Sequence, residues 1–219
     1  MPDSLHSAMI ARKHVVGDVA FLDLVPQAGQ FPGFTAGAHI DLHLPGGLTR
    51  QYSLWNAPAE PNVFRIAVRL EPRGQGGSLA AHALPQGAVV KISAPRNHFA
   101  LLAAGMTILI GAGIGITPLL SMAAALHQGG KDYVLHYIDR GERAAFRGVL
   151  AQHHSPPLAG FMTRRTAVPS LPLCWPAAAP MPGSICADRL DSWRICARLP
   201  KTCRRRRLAF IRRILSPRR

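Results

Sequence analysis

A chain of 219 residues with 48% hydrophobic content has material for one large core or two ordinary ones, which excludes a globally disordered protein. The formal charge of +15 is unevenly placed: residues 1–154 hold 12 Lys+Arg against 9 Asp+Glu, and residues 155–219 hold 14 against 2. The basic character therefore belongs to the tail, which argues against a nucleic-acid-binding surface on the body of the protein.

The first hundred residues read as short strands punctuated by turns, at 8–14, 19–25, 39–44, 51–55, 64–70 and 89–94. That spacing predicts a small antiparallel barrel or sandwich. One short helix is expected at 78–84, with Ser78 as its N-cap. From Gly105 the pattern changes. An apolar strand at 106–110, a glycine turn, a helix at 117–127, a strand at 133–138 and a helix at 142–152 give β-α-β-α. This is the opening of a doubly wound parallel sheet. The expected class is thus β followed by α/β, with a barrel at 1–103 and a partial, incomplete doubly wound domain at 104–154.

Residues 99–128 are apolar over a length that could span a membrane. Gly111, Gly113 and Gly115, followed by Thr117-Pro118, instead suit a buried strand, a tight turn and a helix with proline in its first turn. Residues 1–12 contain no hydrophobic segment of a secretory signal, so a cytoplasmic setting is expected. Beyond His154 no sustained period of 2 or 3.6 appears before Pro200, and prolines recur. A basic, Pro- and Arg-rich tail, 155–219, is expected to be poorly ordered. All four cysteines lie there (Cys174, Cys186, Cys196 and Cys203). Gaps of 11, 9 and 6 residues match neither a zinc site nor an iron–sulfur loop, so no metal site is expected.

Three short motifs carry chemistry. In Arg50-Gln51-Tyr52-Ser53-Leu54, an arginine fork, an aromatic ring and a hydroxyl suit a phosphorylated planar cofactor. In Arg73-Gly74-Gln75-Gly76-Gly77-Ser78, backbone amides precede the short helix and would face a bound anion. In Gly111-Ala112-Gly113-Ile114-Gly115-Ile116-Thr117-Pro118, the loop lies between strand and helix, where a phosphate loop belongs. Its spacing is not GxGxxG, so it is no standard dinucleotide fingerprint.

In this order the motifs resemble the phthalate dioxygenase reductase and vanillate demethylase reductase family of the ferredoxin reductase superfamily. The resemblance also draws on Phe34-Thr35-Ala36-Gly37-Ala38-His39-Ile40-Asp41, on Pro95-Arg96-Asn97-His98-Phe99, and on His136-Tyr137 through Ala145-Phe146. It covers residues 8 to about 152. It implies an FMN-binding barrel, a nicotinamide-binding domain, and hydride transfer from NADH or NADPH to the flavin, followed by single electrons to a terminal oxygenase component. Arg50 with Gly76, Gly77 and Ser78 would hold the flavin phosphate, while Tyr52 and Ser53 would touch the isoalloxazine. Gly111, Gly113, Gly115, Thr117 and Pro118 would line the nicotinamide side, with Tyr52, Ser53 and Thr117 nearest the reacting atoms. Asp139 and Arg140 would lie at the adenosine ribose.

The family also implies a Cys-Gly-Pro segment and a [2Fe–2S] domain with four cysteines. Neither motif occurs in this sequence, where Cys186-Ala187-Asp188 has the cysteine without Gly-Pro. The abrupt change of composition near His154 is what a shifted reading frame in a GC-rich gene would produce. Two other readings stand beside the reductase. One is a flavin-binding remnant without activity. The other is nucleic-acid or anionic-lipid binding by the Arg204–Arg207 run, which would be non-specific.

Overall fold

Alternation organises the first half of the molecule. The computed structural model describes residues 5–60, 62–102, 105–139, 145–153, 158–163, 184–187 and 194–196. Strands β1 (His6–Val16), β2 (Val19–Pro26), β3 (His39–Leu44), β4 (Leu48–Ser53), β5 (Phe64–Arg69) and β6 (Val89–Ile92) form one sheet, in the order β4-β3-β6-β1-β2-β5 with antiparallel pairing throughout. Its two ends are drawn together beyond β4: Trp55 N donates to Arg65 O at 3.0 Å, and Arg65 N donates to the buried Asn56 Oδ1 at 3.0 Å. This contact closes the barrel predicted from the strand spacing. Inward residues such as Ile10, Leu22, Ile40, Leu42 and Leu54 are fully buried and fill it.

Helix α1 spans Gly77–Ala83, and its N-cap is Gly76 at φ 77, not Ser78. The predicted cap fails because the chain must enter this turn left-handed, a conformation that serine adopts poorly and glycine freely. Ser78 lies inside the helix, and its Oγ instead ties back to Glu71, accepting from Glu71 N at 2.9 Å.

The second sheet is built around β7 (Thr107–Ala112). After a short 3-10 turn at Gly113–Ile116 come α2 (Thr117–Gln128), β8 (Tyr133–Asp139) and α3 (Arg147–His153). The helix predicted from 142 begins at Arg147, after a turn at 145–146. Of its predicted start, 142–144 lie outside the described residues. Three further strands join the sheet: β9 (Leu158–Thr163), β10 (Ser184–Ala187) and β11 (Arg194–Cys196). The order is β11-β10-β7-β8-β9, parallel except for the β10–β11 pair. These strands fall in 155–219, where the sequence shows no period. Strands of a parallel sheet lack alternation when both faces are covered, and three to six residues are too few to register one. The rest of 155–219, including the Arg204–Arg207 run, Cys174 and Cys203, lies outside the described residues. Among the described residues no helix is long and apolar enough to cross a membrane, and α2, the core of the apolar run, has 12 residues.

Barrel and α/β unit share one apolar cluster. Phe21 and Trp55 from the barrel pack with Leu109, Ile116, Met122, Tyr137 and Phe146 from the second sheet and its helices. The Phe21 ring meets Phe146 edge-on at 5.1 Å and Trp55 at 6.1 Å. Phe21→Ala should therefore cost about 3–5 kcal/mol, as a fully buried aromatic truncation does. Urea unfolding checks this, and a loss under about 1 kcal/mol would mean the cluster collapses to fill the hole.

Candidate functional site

The cross-strand register sorts the first motif by face. In β4, Arg50 and Tyr52 lie on one side, and Tyr52 packs partly against the barrel core. Ser53 lies on the other side, along with Trp55, which enters the cluster shared with the α/β unit. Burial pushes the Tyr52 hydroxyl above its ordinary pKa, against the opposing influence of the Arg50 charge. Tyr52 is therefore neutral and able to donate across the physiological range.

Arg50 reaches across to the second motif. Its Nη2 donates to Gln75 O at 3.2 Å and to Gln75 Oε1 at 3.3 Å, and its Nη1 donates to Thr49 O at 2.8 Å. The guanidinium lies directly against Gly77: a Cβ there would stand 2.6 Å from Arg50 Cγ and Nε. Gly76 turns the chain left-handed just before it. Sequence positions about 25 apart thus form one cradle of an arginine fork over a bare glycine, with the first turn of α1 beside it. The Ser78 hydroxyl is held by the Glu71 backbone rather than directed into this cradle.

The third motif sits where the second sheet changes direction. The chain passes from β7 to β8 and β9 on one side and returns with β10 on the other, parallel to β7, with Ala187 opposite Gly111. Ligands of such sheets bind at the carboxyl ends of the strands flanking this switch point. Gly111 is required by the tightness of the turn, since a Cβ would stand 3.0 Å from Ile116 Cα and 3.1 Å from Leu119 Cδ1. Gly113 has φ +52, while Gly115, Thr117 and Pro118 are buried. Thr117 Oγ1 donates to Ile114 O at 3.1 Å, fixing the turn into α2. Asp139 ends β8, opposite Thr163 of β9, and Arg140 lies outside the described residues.

Two residues that sequence reasoning missed, Arg69 and His39, lie beside these motifs. Arg69, closing β5, pairs with Asp18 at 2.7 Å and lies beside Gly113 across a small crevice that Ile114, Tyr137 and Phe146 also line. A strand-end arginine carries no sequence signal of its own. His39, on β3, is buried, meets His98 edge-on at 5.3 Å, and has an Nε2 without a hydrogen-bond partner among the described residues. Burial first, then the charges of Arg96 and His98, hold its pKa below the ordinary value, with Asp41 opposing. His14, stacked on Phe21, is lowered likewise, mainly by burial. Both imidazoles favour the neutral form in the folded chain, so the unfolded chain binds protons first as pH falls below about 6.5. Stability should therefore decline from about pH 6.5 downward, and His39→Gln should flatten that decline. Thermal melts between about pH 8 and pH 5, which bracket the histidine titration, test this. An equal slope in the variant would remove His39 from the account.

No family model matches the chain. It is similar to the vanillate O-demethylase oxidoreductase of Pseudomonas sp. (strain HR199 / DSM 7063), 46% identical over 140 residues, covering 62% of this chain and 44% of that protein. The vanillate O-demethylase oxidoreductase of Pseudomonas putida is 43% identical over 145 residues, covering 65% and 46%. Among solved structures, phthalate dioxygenase reductase, described as a modular structure for electron transfer from pyridine nucleotides to [2Fe–2S], superimposes with a TM-score of 0.64 at 38% identity. That match covers 67% of this chain and 48% of that one. The chain thus spans a little under half the length of the relatives it matches. Over that shared stretch it is similar to the vanillate demethylase reductases and phthalate dioxygenase reductase of the ferredoxin reductase superfamily.

Proposed function

We propose that the chain is an NAD(P)H-dependent flavin oxidoreductase that supplies electrons to a terminal oxygenase component, with FMN as its flavin. The observation that carries this reading is the Arg50–Gly77 cradle, where the arginine lies so close over the bare glycine that a Cβ there would stand 2.6 Å from Arg50 Cγ and Nε. An arginine fork and backbone amides around a bare glycine fit a terminal phosphate, which favours FMN. The names of these three relatives, two vanillate O-demethylase oxidoreductases and a phthalate dioxygenase reductase, support the choice of acceptor.

A flavin in this place supplies the conversion of a two-electron hydride into single-electron steps. The chain's own residues bind and orient. Arg50 and the Gly76-Gly77 amides hold the phosphate, and α1 keeps Ser78 close to the same loop. Tyr52 and Ser53, at the end of β4, would be the side chains that contact the flavin ring, the tyrosine through its aromatic ring and the serine through its hydroxyl. Gly113, Gly115 and Thr117 leave backbone room for the nicotinamide, with Gly111 and Pro118 shaping the turn. Arg69, held by Asp18, presents a cation to the dinucleotide phosphates. Asp139, followed by Arg140, stands at the strand end expected for the adenosine ribose.

Anaerobic stopped-flow mixing of the FMN-loaded protein with NADH, and separately with NADPH, tests the proposal. Bleaching of the flavin with one or both identifies the donor, and ferricyanide should restore the colour. A flavin that stays oxidised with both would refute the reductase reading.

A further inference from the structure

Much of the Arg50 guanidinium is already engaged by the protein. Nη1 donates to Thr49 O at 2.8 Å, while Nη2 donates to Gln75 O at 3.2 Å and to Gln75 Oε1 at 3.3 Å. Nε lies over Gly77, where a Cβ would stand 2.6 Å from it. A guanidinium offers an anion two forked edges, Nη1 with Nη2 end-on and Nε with Nη2 side-on. Both edges include Nη2. Any acceptor that grips Arg50 through two parallel bonds must therefore displace one of the two Gln75 oxygens.

The two oxygens are not equivalent. The Gln75 carbonyl is main chain, in the turn that Gly76 completes at φ 77 on the way into α1, so moving it means remaking the turn. The amide oxygen belongs to an exposed side chain set between Gly74 and Gly76. Its bond to Arg50 is the only hydrogen bond of that side chain among the described residues. It can leave by side-chain rotation alone, and water then replaces the lost bond. Charge decides which ligand displaces it. Among the described residues Arg50 pairs with no carboxylate, so only neutral carbonyl dipoles answer its positive charge. A phosphate monoester brings about 1.5 to 2 negative charges near pH 7 and forms the stronger, charge-assisted bonds.

Resting on the flavin reading above, we infer that the Gln75 side chain is an internal competitor for the phosphate, its Oε1 holding the Nη2 donor that a phosphate must take. The main-chain carbonyls of Thr49 and Gln75 keep the guanidinium over Gly77 throughout, and the amide oxygen is the acceptor that is exchanged. Gln75 is thereby a specificity-determining residue. A ligand with a phosphate displaces the amide and loses the worth of one neutral hydrogen bond in doing so. Riboflavin, which has no phosphate, leaves the amide in place and is indifferent to it.

Wild type, Gln75→Ala and Gln75→Glu are compared as full chains, titrated with FMN and with riboflavin by flavin fluorescence. Gln75→Ala should bind FMN roughly two- to tenfold more tightly than wild type, since one neutral hydrogen bond no longer has to be broken. Gln75→Glu sets a carboxylate on the same Nη2 and should weaken FMN about tenfold or more, because a charge-assisted bond must then be given up. Riboflavin should stay within about twofold in both variants, as neither bond faces a phosphate. A second titration uses inorganic phosphate alone, read by NMR on the Arg50 Nε–H signal, and should rank the proteins in the same order, Ala tightest and Glu weakest. A Gln75→Ala protein that binds FMN no more tightly than wild type makes the amide a support for Arg50 and overturns the inference. Equal shifts for FMN and riboflavin in Gln75→Glu overturn it too. If wild type binds no FMN, the flavin reading fails, and the phosphate ranking, which involves no flavin, still decides the role of Gln75.

Discussion

Arg50→Ala should weaken FMN by roughly ten- to a hundredfold while leaving riboflavin almost untouched. The two ligands differ only in the phosphate, and a charge-assisted hydrogen bond is worth about 1.5–3 kcal/mol. The side chain is pre-set for the task, since Gln75 and Thr49 already fix its guanidinium. Gly77→Ala provides an independent check. Its new methyl would stand 2.6 Å from Arg50 Cγ and Nε, so the flexible arginine has to swing out of the cradle. That variant should fold and yet share the selective loss of FMN. Fluorescence titration with both ligands measures this. Equal loss for FMN and riboflavin would mean that Arg50 does not meet the phosphate.

The contrast between the two arms of this experiment reflects what the sequence could convey. Alternation in β1 to β6 is strong because one face of each strand lines a filled barrel, so those elements were legible. The turn into α2 was legible as well, because Gly111, Gly113 and Gly115 before Thr117-Pro118 allow few backbone paths. What escaped were features set by contacts between distant segments. Serine is the better capping residue in isolation, but the left-handed entry at Gly76 overrides that preference. The short strands β9 to β11 have no period to detect, and only pairing defines them: β9 on β8, β10 on β7 and β11 on β10. His39 looks like any outward-facing polar residue of a half-exposed strand. Its burial beside the Arg96–His98 segment bridged to β3 is a contact between distant parts of the chain, and that makes its imidazole unusual.

The largest effect expected on chemistry itself lies at Gly113. Its φ of +52 places it in the left-handed region, where a side chain costs about 1–2 kcal/mol. A Cβ there would be 3.7 Å from Arg69 Nη1, an ordinary contact, so Gly113→Val should fold with that modest penalty. The added methyl groups would nevertheless crowd the crevice between the Asp18–Arg69 pair and the Gly113-Ile114 turn. That crevice is the proposed approach of the nicotinamide, and hydride transfer needs reacting atoms about 3–3.5 Å apart. A displacement near 1 Å can cost about a hundredfold, so flavin reduction by NADH or NADPH should slow by that order. FMN affinity should hold within about twofold, because the phosphate cradle on β4 and α1 is a separate structure. Thr117→Val should give a smaller loss in the same step, since it removes the hydroxyl tie to Ile114 O while keeping the buried shape. Stopped-flow reduction, with FMN binding measured in parallel, separates the two effects. A Gly113→Val protein that is reduced as fast as wild type would remove the glycine turn from the nicotinamide side.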